Sequence, residues 1–184
     1  MTSEGRRDAE DRKGGEVRRG EIIALLRREG GPVTGSELAS RLGVSRQVVV
    51  QDIALLRAGG EKVLSTPRGY VLADSIVKGL ATRTIPCRHD QEGLVEELHT
   101  IVGLGGRIVD VIVEHPIYGE LKGMLMIETH QDVDEFYKAL VASEAKPLSA
   151  LTEGLHLHTV QAASHAALDA IEQALDKKGY LVRG

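Results

Sequence analysis

Positions 34–60 read TGSELASRLGVSRQVVVQDIALLRAGG. Thr34 with Glu37 three residues on has the spacing of a capping box, and Leu38, Ala39 and Leu42 then recur on one helical face. Gly43-Val44 ends that helix in a tight turn. Ser45 is suited to cap a second helix, in which Val48, Val49, Ile53, Leu55 and Leu56 run on to Gly59-Gly60. Upstream, from Arg19, the residues Ile22, Ile23, Leu25 and Leu26 keep a helical period until Gly30-Gly31-Pro32 stops it. Downstream, 62–65 and 70–72 predict two short strands around Thr66-Pro67-Arg68-Gly69, whose Pro and Gly suit a hairpin tip.

Three helices and a hairpin in that order predict a winged helix-turn-helix over residues 18–73. Residues 1–17 mix both charge signs with Gly and carry no apolar period, which predicts a disordered arm. In such a unit the second helix of the turn enters the major groove of double-stranded DNA, with polar side chains near its start reaching base edges. Ser45, Arg46, Gln47 and Gln51 are the candidates: Arg46 can pair bidentately with guanine, Gln47 or Gln51 with adenine, and Ser45 suits a phosphate. Arg68 at the hairpin tip is placed for a minor groove or a phosphate, and Arg41 and Arg57 for further backbone contacts. The same architecture also serves protein contacts, in which case Arg46 and Gln47 are merely solvated. The run Glu37-Leu38-Ala39-x-x-Leu42-Gly43-Val44-Ser45-Arg46, followed by Asp52-Ile53-x-x-Leu56-Arg57-x-x-Gly60, resembles the biotin-repressor-like helix-turn-helix family.

The chain has 184 residues, 42% apolar and 27% charged, enough for a folded core and compatible with one large or two small domains. Its apolar runs, such as Val48 to Val50, are far shorter than a membrane span, and the start has no apolar signal stretch, so no membrane association and a cytoplasmic location are expected. Cys87 is the single cysteine; an intrachain disulfide is therefore impossible, and its ordinary reading is a small buried thiol. Charge divides the chain. Residues 1–72 hold 13 Lys and Arg against 10 Asp and Glu, residues 73–184 hold 10 against 17, and all seven histidines lie in the second part. Two segments of different chemistry follow.

The second segment, 80–184, mixes periods. After a connection through 73–85, residues 91–102, 132–142 and 164–177 predict helices, and 107–114, 118–128, 155–160 and a short 180–182 predict strands, an α+β domain. In Leu155-His156-Leu157-His158 the two imidazoles project from one strand face, within reach of a single ion, although strand histidines also occur without a metal. His89 follows Pro86-Cys87-Arg88 and precedes a helix that Asp90 is placed to cap, with Glu92, Glu96 and Glu97 on that helix. Were His89 itself helical, Glu97 would lie about 12 Å farther along the axis, so shared ligation requires His89 to precede the helix.

These motifs, with Glu114-His115-Pro116-x-Tyr118-Gly119-Glu120, Asp132-Val133-x-x-Phe136 and Pro147-Leu148-Ser149-x-Leu151-Thr152-x-Gly154-x-His156-Leu157-His158-Thr159, resemble the 3H domain. Joined to a biotin-repressor-like helix-turn-helix, the whole is similar to niacin-responsive repressors of the NiaR/YrxA type. That resemblance implies a repressor of genes for NAD synthesis or niacin uptake, with nicotinic acid as co-repressor; a two-fold operator would in turn require a homodimer. It also implies a divalent transition metal on three histidines and a glutamate, which on this chain are His89, Glu97, His156 and His158. Glu96 competes with Glu97, since one residue turns a side chain by about 100° around a helix. Nickel, zinc and ferrous iron all suit such donors. His115, Tyr118 and Gly119 either line the ligand pocket or simply shape a strand bend; His99, His130 and His165 are read as surface residues. Two competing readings stand: the same architecture sensing another ligand or the metal itself, and a metal-dependent enzyme whose ion activates water.

Overall fold

The apolar stripe around Ile22 is the buried end of a longer helix than the sequence indicates. The structure, a computed structural model, describes residues 3–75 and 80–183. The chain divides into two compact units, Met1–Lys78 and Gly79–Gly184. In the first, α1 spans Ser3–Glu29, so the arm expected to be disordered is helical from Ser3; Met1 and Thr2 lie outside the described residues. The segment before Arg19 is rich in residues that tolerate a helix, and the turns anchored by buried Ile22 and Leu26 supply the nucleus from which it extends.

α2 (Gly35–Leu42) and α3 (Arg46–Ala58) follow, each with the expected cap: Thr34 Oγ1 accepts from the Glu37 amide at 3.1 Å, and Ser45 Oγ from the Val48 amide at 3.3 Å. The capping box is only half formed, because the Glu37 carboxylate pairs with Arg41 at 2.5 Å. β1 (Val63–Thr66) and β2 (Gly69–Leu72) make the hairpin, and Val33 bridges to Tyr70. Ile22, Leu26, Leu38, Val49, Ile53 and Val63 form the core of this unit. Leu55, expected to continue the apolar face of α3, is instead 55% exposed.

In the second unit β3 (Ala81–Arg88) precedes α4 (Gly93–Gly103), then β4 (Arg107–His115), β5 (Gly119–Ile127), α5 (His130–Ala142), a 3₁₀ turn (Leu148–Thr152), β6 (Leu155–Ala162) and α6 (His165–Lys177). β3 replaces much of the expected connection; positions 76–79 of that connection lie outside the described residues. Pro86 argues against a strand, yet β3 is at the edge of the sheet, where a missing N–H is tolerated. The expected strand over 180–182 is reduced to one bridge, Leu181 to Cys87. The sheet is antiparallel in the order β3-β6-β4-β5. Residues from α4, α5 and α6, among them Leu98, Ile101, Val133, Leu168 and Ile171, share a core with Ile85, Ile108 and Val160 of the sheet. β6 thus runs between β3 and β4, with His156 and His158 buried.

Candidate functional site

β3 and β6 pair with Cys87 opposite His156 and Ile85 opposite His158. His89 leaves the end of β3 and precedes α4, as shared ligation requires; the N-cap is Glu92 rather than the expected Asp90, whose carboxylate accepts from the amides of Glu92 and Gly93, each at 3.1 Å, in the turn that leads into the helix. One turn into α4, Glu97 enters the cluster with 1% of its surface exposed. Its Oε2 lies 2.7 Å from His89 Nε2, 3.2 Å from His156 Nε2 and 3.4 Å from His158 Nε2. Glu96 points elsewhere, to Lys178 Nζ at 2.5 Å and the Tyr180 hydroxyl at 2.6 Å. The rotation per helical residue therefore separates two adjacent glutamates into a site member and a surface latch.

Each imidazole is held from behind. Nδ1 of His89 contacts the Asp90 carbonyl at 2.6 Å, that of His156 the Gly154 carbonyl at 2.8 Å, and that of His158 the Asp110 carbonyl at 2.8 Å. A carbonyl only accepts, so every Nδ1 carries the proton and a neutral ring presents a bare lone pair at Nε2. Three lone pairs then face one carboxylate oxygen. That convergence is repulsive unless rings are protonated or a cation is shared, and this orientation by backbone carbonyls is the usual support of metal-binding histidines. A β-bulge between Ile108 and Asp110 accompanies the carbonyl that holds His158. Gly154, at φ +86°, lets the chain pass so close to His89 that an added Cβ would meet the His89 carbonyl oxygen at 2.1 Å.

Electrostatics agree with a demand for positive charge. Burial pushes the Glu97 carboxyl up, but the charge of His158 and hydrogen bonds from His156, His158 and His89 outweigh it and hold the group well below the ordinary range. For His89 and His158, burial favours the neutral ring, yet the hydrogen bond and negative charge of Glu97 raise both above their ordinary value. Glu97 Oε1 is buried with no hydrogen-bond partner. Three nitrogens and a carboxylate with one unpartnered oxygen fit a divalent transition ion. The donors that would hold it are His89, Glu97, His156 and His158.

Beside the cluster is a cleft of about 130 Å³, lined by His89, Asp90, Gln91, Pro147, Ser149 and Gly154 among others. His115, Tyr118 and Gly119 are not among its lining residues. They form the β4–β5 hairpin tip, where His115 Nδ1 accepts from the amides of Ile117 and Tyr118 at 3.2 and 3.3 Å and Tyr118 is 73% exposed. His99 and His130, read as surface residues, meet through their Nδ1 atoms at 2.7 Å.

On the first unit, Ser45, Arg46, Gln47 and Gln51 are all exposed along α3. Val50, which the sequence pattern did not single out, joins them at 41% exposure; in the run Val48-Val49-Val50 nothing in the sequence distinguishes it from buried Val49. Arg46 and Arg68 line one cleft of about 310 Å³ with Thr34, Gly35, Thr66 and Tyr70. Arg68 is half-buried in the two-residue turn rather than projecting freely from it. Arg41 pairs with Glu29 and Glu37, and Arg57 donates to the Val63 carbonyl and Ser65 Oγ, both at 2.7 Å, so these two cations already have partners within the unit.

Residues 18–71 match a helix-turn-helix domain family and residues 82–184 the 3H domain family. Over 161 residues the chain is 44% identical to a Thermotoga maritima protein described as probable transcription repressor NiaR, covering 88% of this chain and 91% of the relative. It belongs to the NiaR/NadR family of transcription repressors. A second member, transcription repressor NadR of Bacillus subtilis, is 40% identical over 171 residues, 92% of this chain and 95% of its own. Membership makes the chain a DNA-binding regulator rather than a metal-dependent enzyme. Among the described residues no helix is long and apolar enough to cross a membrane.

Proposed function

We propose that this repressor senses nicotinic acid through a divalent transition metal in its 3H domain, and that the liganded form binds an operator ahead of genes for NAD synthesis or niacin uptake. The observation that carries the reading is the convergence of three backbone-locked Nε2 atoms on Glu97 Oε2. His89, Glu97, His156 and His158 hold the ion, which supplies an electrophilic centre for the effector. The effector occupies the cleft bordered by His89, Gln91, Pro147 and Ser149, whose volume of about 130 Å³ suits a single-ring acid. This moves the effector site away from His115, Tyr118 and Gly119, whose contacts suit turn formation.

Regulation follows from linkage: effector that binds better to the DNA-competent geometry raises DNA affinity by the same factor. Ser45, Arg46, Gln47 and Gln51 read the operator and Arg68 holds a phosphate, with a homodimer presenting two such helices to two half-sites. The exposed Val50 is placed for a thymine methyl group.

The test is thermal unfolding of metal-loaded and EDTA-stripped protein with nicotinic acid, nicotinamide or neither. At 100 times its dissociation constant a ligand stabilises by about 2.7 kcal/mol. The expected result is stabilisation by nicotinic acid in the metal-loaded protein only. No response in any metal state overturns the niacin assignment and leaves the repressor assignment intact.

A further inference from the structure

Cys87 lies directly opposite His156 in the β3–β6 pairing and its side chain is fully buried. Directly opposed residues of an antiparallel pair place their side chains on the same face, a few ångströms apart. The Cys87 Sγ, a Glu97 carboxylate oxygen and a His156 ring nitrogen all lie within 4.8 Å of one another. Cys87 belongs to the apolar core of the unit, and its thiol also reaches the Glu97 carboxylate and the His156 ring. A second observation concerns the same carboxylate: Glu97 is 1% exposed, and its Oε1 is buried without a hydrogen-bond partner, leaving an acceptor for a cation in this cluster.

From this geometry we infer that Cys87 is a sulfur ligand of the metal, on the buried side of the histidine cluster. The inference rests on the metal reading proposed above and extends its donor set. His89 borders the cleft, whereas Cys87 is fully buried and is not among its lining residues, so the thiol would hold the ion as a donor separate from the cleft wall. On ligation the thiol proton is released. The chemical consequence is selectivity: a thiolate favours late, softer divalent ions such as zinc, cobalt and nickel, and disfavours magnesium, calcium and manganese.

The experiment is electronic absorption of the full chain titrated with Co(II), for wild type, Cys87→Ser and Cys87→Ala. Visible d–d bands report that the cluster binds the ion at all. A sulfur-to-cobalt charge-transfer band in the near ultraviolet reports a thiolate ligand, and Cys87 is the chain's single cysteine, so no other residue can produce it. The expected result is both sets of bands in wild type and loss of the charge-transfer band, with d–d bands retained, in either variant. Wild-type d–d bands without a charge-transfer band overturn the sulfur ligand while the histidine site stands. Absence of both overturns the metal reading and the sulfur ligand with it. Because the wild-type spectrum decides between these results, the test does not depend on the variants folding.

Discussion

Replacing Gly154 by Ala tests whether the chain around His89 is held as described. The new Cβ would sit 2.1 Å from the His89 carbonyl oxygen, about 1.3 Å inside the 3.4 Å at which ordinary contact begins, and a flexible side chain is not what it strikes: the neighbour is backbone. Ala at φ +86° adds about 1 to 2 kcal/mol of conformational strain. Relieving the clash by shifting backbone costs about 1 to 3 kcal/mol more. Together these lower the melting temperature of the sensor unit by on the order of 10 °C or more. The shift has a functional reading too, since the residue that must move carries one ligand and the Gly154 carbonyl holds His156 Nδ1. Misorienting ligands in this way costs about 10- to 100-fold in metal affinity. Calorimetry together with competition against a chromophoric chelator measures both quantities. A Gly154→Ala protein that melts within a few degrees of wild type and binds Ni(II) or Zn(II) equally well would refute the argument.

Three further outcomes are expected. In metal-stripped protein, His89 and His158 are raised above 6.5 and Glu97 is lowered below 4.5, so their stabilisation is present between those ordinary values. It is lost as pH rises through the raised histidine values or falls through the lowered glutamate value; metal needs neutral rings and should move the optimum upward, which urea titrations across pH can follow. Asp52→Asn removes the buried partner of Arg18 Nε at 2.5 Å and Arg19 at 3.4 Å, and should destabilise the DNA-reading unit by about 1 to 3 kcal/mol in chemical denaturation, the arginines being partly open to water. Arg46→Ala should lose about 1 to 3 kcal/mol of operator affinity and relax preference at one base, whereas Arg68→Ala should weaken all sequences alike and reduce the salt slope by about 1, both read by fluorescence anisotropy.

What the amino-acid order determined by itself is what depends on neighbours within one or two turns. The Thr34 and Ser45 caps, the Gly43 turn and the apolar period of the second and third helices are local, and they emerged where the spacing places them. His-x-His on one strand face follows from the two-residue period of a strand, and the need for His89 to precede its helix follows from helix rise alone. Tertiary structure decided whatever depends on partners distant in the chain. The Arg18–Asp52 ion pair joins residues 34 apart and ties the region just before Arg19 into the unit. β3 exists because β6 pairs with it, despite Pro86. The choice of Glu97 over Glu96 was set by how α4 rotates against the sheet, the Asp110 carbonyl by an irregularity in a neighbouring strand, and the place of Cys87 by strand register. A one-residue slip in that register would turn Cys87 away from His156, because successive side chains of a strand alternate faces. Residue types therefore show that a metal centre is possible, and only the packing of three separate segments, the end of β3, α4 and β6, brings its candidate donors together.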